Sequence, residues 1–137
     1  MAYDQNNIFA RILRGEIPNQ TVLETEHTLA FRDINPARPV HVLVIPKGPY
    51  VTFDQMAADA SEAEIVDFVR TVGQVARQEG VTESGYRLIN NNGEDGHQEV
   101  PHLHVHVLGG TSGNLIEDIG LGGSTPTTSN LVKYVSH

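Results

Sequence analysis

The chain predicts an α+β fold, a mainly antiparallel sheet carrying one long and one short helix. Strand-like segments outnumber helical ones and arrive mostly in adjacent pairs, which suits hairpins better than the βαβ units of a doubly wound sheet. The 137 residues, 39% hydrophobic and 19% charged, suit one folded domain with a real core.

"NNIFARILRGEIP" opens the pattern, with Ile8, Phe9, Ile12 and Leu13 at helical spacing and Gly15 and Pro18 behind them. A short amphipathic helix follows from that spacing. "TVLETEHTLAFRDI" is β-branched and aromatic, broken near Glu26, and reads as a hairpin or two short strands. After the prolines of "INPARP", the run "VHVLVIP" is a strand from Val40 to Ile45, with His41, Leu43 and Ile45 on one face.

The long helix is predicted from Glu62 to Glu79. Ser61 and Glu64 match a capping box, Ile65, Phe68, Val69, Val72 and Val75 or Ala76 form the buried stripe, and Gly80 is the stop. "SGYRLIN" gives a strand near Tyr86 to Ile89, "NNNGEDGHQEVP" a turn-rich loop, and "HLHVHVL" the last clear strand. Residues 111–137 are rich in Gly, Ser and Thr, with a further strand at "LVKYV", Leu131 to Val135.

The formal charge is -8 and the nine Lys and Arg residues form no run, which argues against nucleic acid and anionic membrane as partners. Without cysteine there are no disulfides, thiolate zinc sites or cysteine nucleophiles. No apolar run approaches the roughly 18 residues of a membrane span, and no secretory leader pattern opens the chain, so a cytoplasmic protein is expected.

The unusual feature is "HLHVHVL" itself. In a strand His102, His104 and His106 share one face, while Leu103, Val105 and Val107 share the other. A plain core would rarely take three imidazoles together, since each buried polar group left unpaired costs roughly 1 to 3 kcal/mol. A metal site is one use, but outer residues roughly 13 Å apart at about 3.3 Å per residue cannot all ligate one ion. Two of the three with His41 still could. Catalysis at phosphorus is the other use: a neutral imidazole attacks, a covalent intermediate forms, and a neighbouring ring contacts phosphate oxygens. The Asn and Gly of "NNNGEDGHQ" suit an anion nearby, and no P-loop motif occurs.

With "HLHVHVL" satisfying His-φ-His-φ-His-φ-φ (φ apolar) at every position, the chain resembles the histidine triad (HIT) family. "NIFARILRGEIP", "LAFRDINPARPVHVLVIPK" and "GYRLINNNGEDGHQEVPHLHVHVLGG" extend the resemblance over about residues 6 to 110, to the HINT-like, purine nucleoside phosphoramidase-like branch. The resemblance implies a HIT domain over residues 1–110, with 111–137 a C-terminal extension, packed or flexible, of the same domain. It further implies a homodimer whose sheets join, and a hydrolase for purine nucleotide conjugates of AMP or GMP type that needs no cofactor or metal.

Carried onto matching positions, His104 is the nucleophile, His106 contacts the phosphate and leaving group, and His102 and His41 orient them. Ile8, Phe9, Ile12 and Phe31 would form the base slot, Asp33 with Ile34 beside it the ribose site, and Asn91, Gln98 and Glu99 the phosphate end. The apolar set equally suits core packing, and Asp33 a turn. His97 and Glu99 depart from the Gly and the hydroxyl residue of many members, a change that bears on which leaving groups are accepted. Within the family, cleavage of dinucleoside polyphosphates or nucleotidyl transfer is the alternative activity. A nucleotide-binding regulatory or interaction module is the alternative of another class.

Overall fold

The computed structural model describes residues 2–110. The strand expected at Leu131 to Val135 and the extension over 111–137 lie outside the described residues.

Helix α1 spans Ile8–Leu13. Its N-cap is Asn7, whose side chain accepts from the Ala10 amide, and Phe9, Ala10 and Ile12 form its buried side. Strands β1 (Thr21–Glu24) and β2 (Thr28–Arg32) make the expected hairpin, closed by Asp67 of the long helix. The Asp67 carboxylate accepts from the Thr25 and Thr28 hydroxyls and the His27 amide at 2.6–3.1 Å, which ties the turn to the helix.

Strand β3, Val40–Pro46, is buried along nearly its whole length. A helix the periodicity does not reveal follows it: α2, Phe53–Asp59, capped by Thr52. Met56 is its one buried residue, so no repeating apolar stripe marks it. Helix α3 spans Glu62–Gln78, and its capping box is present, with Ser61 and Glu64 bonding reciprocally. The stripe differs from expectation at one position. Val69 is 64% exposed and Thr71 is buried in its stead, because the sheet lies under the side of α3 that carries Phe68, Thr71, Val72, Val75 and Ala76.

Strands β4 (Tyr86–Ile89) and β5 (Val105–Gly109) complete an antiparallel sheet in the order β1-β2-β3-β5-β4. The last strand thus lies between β3 and β4, with Val44 opposite Val105 and Leu43 opposite His106. Its ladder begins at Val105, three residues later than "HLHVHVL" suggests. Pro46, which would oppose position 103, has no N–H to extend it. Other bonds keep the preceding segment extended: the Leu103 amide donates to the Tyr50 carbonyl, and the Asn90 amide group to the His104 carbonyl.

The alternation therefore survives outside the strand. Leu103, Val105 and Val107 join Ala30, Val42 and Val44 beneath α3, while the histidines turn to the other face, where Phe9, Ile12, Leu29, Phe31, Leu43 and Ile45 pack under α1. Among the described residues no helix is long and apolar enough to cross a membrane.

Candidate active site

The sheet brings four imidazoles together from three directions. His41 projects from β3, His106 from β5 opposite Leu43, and His102 and His104 from the bonded segment before β5. All four are fully or almost fully buried. The ring centroids of His104 and His106 are 5.3 Å apart, those of His41 and His106 5.2 Å, and Phe9 stands edge-on to His104 at 5.0 Å.

Fixed backbone groups determine the tautomers. The Ala37 amide donates to His41 Nδ1 at 3.0 Å, so the neutral His41 ring carries its proton on Nε2. That proton is donated to His106 Nδ1 at 2.9 Å, which leaves His106 with its own proton on Nε2. His104 is set the opposite way round. Its Nδ1–H donates to the His102 carbonyl at 2.7 Å, so Nε2 carries the lone pair, and neither His104 Nε2 nor His106 Nε2 has a hydrogen-bond partner among the described residues. His102 donates from Nε2 to the Pro46 carbonyl at 2.8 Å and accepts at Nδ1 from the Tyr3 hydroxyl.

Burial keeps these rings neutral. Loss of water pushes His41, His102 and His104 down to about 4, and the His102 ring is raised against that trend by its bond to the Pro46 carbonyl. His106 is lowered well below its usual value, first by burial and then by the neighbouring His104 and His41. Burial acts in the other direction on the Asp33 carboxyl, raised to about 6, with the Asn35 amide on Oδ1 opposing the rise. Asp33 Oδ2 lies 3.4 Å from His41 Nε2 and has no hydrogen-bond partner among the described residues. With His41 neutral, this is a carboxylate beside a polar N–H and not an ion pair.

Asp33, His41 and His106 put potential ligand atoms within 4.8 Å of one another. His41 Nε2 and His106 Nδ1 already bond each other, so a metal held through that pair would have to break the bond that orients His106. A cavity of about 320 Å³ opens at this end of the cluster, bordered by Asp33, Ile34 and His41.

The other expected site residues divide into two groups. Phe9, Ile12 and Phe31 are buried in one cluster beside the histidines, with Ile8 half-buried against it, and Asn91 is buried at the start of the loop. Ile34 is 49% exposed, and His97 and Glu99 lie on the exposed side of the loop. Glu99 and Ile8 border one further cavity of about 270 Å³ with Arg11. Both ends of the Gln98 amide serve the loop: Oε1 accepts from the Gly93 amide, and Nε2 donates to the Val51 and Val100 carbonyls. Gly96 is tightly constrained, since a Cβ there would stand 2.3 Å from the Asn92 carbonyl oxygen. His97 next to it has φ +59°, a left-handed conformation that costs a non-glycine residue about 1 kcal/mol or more.

Sequence reasoning missed Tyr3, the Ala37 amide, the Pro46 carbonyl and Asn90. Three of these act on or through the backbone, where residue identity leaves no signal. Tyr3 stands 99 positions from its partner.

A small antiparallel α+β domain with a buried, tautomer-fixed histidine cluster next to an Asn-Gly loop defines a class of site as well as a fold. The HIT domain profile matches residues 14–113, and the chain belongs to the HIT family. It is 64% identical over 108 residues to an uncharacterized 13.2 kDa HIT-like protein of Azospirillum brasilense, covering 79% of this chain and 88% of the relative. It is 41% identical over 106 residues to the purine nucleoside phosphoramidase of Escherichia coli, covering 77% and 88%. A relative from Zea mays, named a 14 kDa zinc-binding protein, is 45% identical over 112 residues, covering 81% and 87%. Among solved structures, a HIT family hydrolase from Legionella pneumophila superposes with a TM-score of 0.73 at 41% identity, covering 80% of this chain and 97% of that one.

Proposed function

We propose that this protein is a metal-independent hydrolase of purine nucleoside phosphoramidates or related nucleotidyl conjugates, working through a nucleotidyl-histidine intermediate at His104. The observation that carries this reading is the His104 ring: neutral, held by its Nδ1–H on the His102 carbonyl, and with an Nε2 lone pair that has no partner among the described residues. Kinship with the phosphoramidase of E. coli supports the choice of bond.

His104 Nε2 attacks the α-phosphorus, the bond from phosphorus to the leaving nitrogen breaks, and the amine departs with its electron pair and takes a proton from solvent. Water then attacks the same phosphorus, the bond to His104 breaks, and a nucleoside monophosphate leaves. As charge builds on the phosphoryl oxygens, His106 Nε2–H donates to them, held in line by His41. His102 orients His104 through its carbonyl. Ile8, Phe9, Ile12 and Phe31 take the purine, Asp33 Oδ2 accepts from the ribose hydroxyls beside Ile34, and Asn91, His97 and Glu99 meet the phosphate end of a loop braced by Gln98.

Incubation with adenosine 5′-phosphoramidate is expected to release AMP and to leave a transient adduct of nucleotidyl mass on His104. The His104→Ala variant should lose of order 10³-fold or more in kcat/KM. Activity retained in that variant removes the nucleophile assignment. Faster turnover of diadenosine polyphosphates than of the phosphoramidate shifts the substrate class. AMP binding with no adduct and no turnover leaves a binding module.

The working unit in this reading is a homodimer. The outer edge of β4 has no strand partner among the described residues, and Phe53, Val69, Tyr86 and Leu88 stand exposed around a cavity of about 410 Å³ beside it. An unpaired edge flanked by apolar side chains fits a second copy related by a two-fold axis, which extends the sheet across the pair. Sedimentation is expected to give twice the chain mass, and Val69→Asp to give a monomer. A wild-type monomer at micromolar concentration rules the dimer out.

A further inference from the structure

We propose that Tyr3 is a positioning residue for the nucleophile, acting through His102. The inference rests on the reading of His104 given above, and its first step is a hydrogen bond whose direction is settled by geometry. His102 has both ring nitrogens engaged. Nε2 faces the Pro46 carbonyl, which can only accept, so the ring proton is on Nε2 and Nδ1 offers a lone pair. The Tyr3 hydroxyl, in contact with that Nδ1, is therefore the donor.

The arm that delivers Tyr3 is built for a fixed position. The Asp4 carbonyl accepts from both the backbone amide and the side-chain amide of Asn7, and the Asp4 carboxylate accepts from the Asn6 amide. Asn7 in turn caps α1, and Arg14 donates to the Gln5 carbonyl at 2.7 Å. The turn over residues 4–7 is thus welded to the helix. The Tyr3 ring projects from it to lie edge-on to His102, with centroids 5.6 Å apart. Phe9, in the first turn of the same helix, stands edge-on to both His102 and His104.

The consequence reaches the reacting atom in two bonds. Tyr3 and Pro46 hold the His102 ring from opposite sides, and the His102 carbonyl holds His104 Nδ1–H. Without the Tyr3 hydroxyl, His102 Nδ1 is a buried acceptor with nothing to accept from, and the ring is held from one side alone, by its Nε2–H on the Pro46 carbonyl. Loss of the second tether loosens the residue whose carbonyl aims His104 Nε2. The effect falls on attack at phosphorus more than on nucleotide affinity, since the Tyr3 hydroxyl, which also bonds the Asn7 side chain, meets the histidine cluster at His102.

The test compares the full-length chain with Tyr3→Phe, which keeps the ring and removes only the hydroxyl, and with Tyr3→Leu, which removes both. Steady-state hydrolysis of adenosine 5′-phosphoramidate is read alongside the ¹⁵N resonances of the His102 ring. In Tyr3→Phe, kcat is expected to fall about 3- to 10-fold with KM within twofold, and the His102 Nδ1 resonance to move as its hydrogen bond is lost; Tyr3→Leu falls at least as far. A merely structural role would lower the thermal midpoint and leave kcat, measured well below it, unchanged, and that result overturns the proposal. An unmoved His102 Nδ1 resonance in Tyr3→Phe also overturns it, even if wild type shows no turnover, a failure that would count separately against the phosphoramidate reading.

Discussion

The two faces of the sheet use the same strands for opposite ends. Under α3, Ala30, Val42, Val44, Leu103, Val105 and Val107 meet Phe68, Val72 and Val75 in a mainly apolar layer, closed by a helix of 17 residues. Under α1 the alternate positions of β3 and β5 carry His41 and His106, the cover is a helix of six residues, and the Nε2 atoms of His104 and His106 have no partners among the described residues. One face gains from burial and shape. The other keeps unsatisfied groups whose value is realised only with a substrate present, so the first face must stabilise what the second destabilises.

Acid should separate the two faces more strongly than any single substitution. His41, His102 and His104 have folded-state values near 4, below the 6.5 of a free imidazole, so below about pH 6.5 the unfolded chain takes protons that the folded chain refuses. Stability is lost as pH falls from about 6.5 toward 4, and His106, lowered further, acts in the same sense. Asp33 opposes this. Its carboxyl is raised from 3.8 to about 6, so its contribution is fully present below about 3.8 and lost as pH rises through about 6. Four rings outweigh one carboxyl, and urea midpoints should fall steadily between pH 7 and pH 4.5. A midpoint that is flat over that range would mean the rings are far less shielded from water than their burial implies.

The contrast also explains what the sequence could disclose. Alternation in "HLHVHVL" sorted the two faces correctly even where no ladder exists, because burial of Leu103 beneath α3 sets the direction of its neighbours. Ser61 and Glu64 fixed the start of α3, but Val69 was misplaced, since a helical stripe read from composition does not say how wide the supporting sheet is. Helix α2 left no trace because it buries one residue. In the site, the four histidines and Asp33 were legible as residue types. Their tautomers were not, because these depend on the Ala37 amide and on the Pro46 and His102 carbonyls, groups every sequence offers at nearly every position.

Truncation on the apolar face gives the smaller and more local effect. Phe68 is 5% exposed and lies between α3 and the sheet, so Phe68→Ala removes a ring from an apolar cluster, and such changes cost about 3 to 5 kcal/mol. Because Phe68 also borders the cavity of about 410 Å³ beside β4, neighbouring chains have room to shift, which places the cost toward the lower end of that range. The variant should unfold at markedly lower urea, yet retain kcat per folded molecule, since Leu103 and Val105 stand between it and the histidine rings. His104→Ala should do the reverse, abolishing turnover while lowering the urea midpoint less than Phe68→Ala does, because the loss of packing and of the bond to the His102 carbonyl is offset by removing a buried nitrogen that has no partner among the described residues. If Phe68→Ala instead lowers kcat and stability together, the two faces are mechanically coupled through β5, and the division between a supporting layer and a working layer fails.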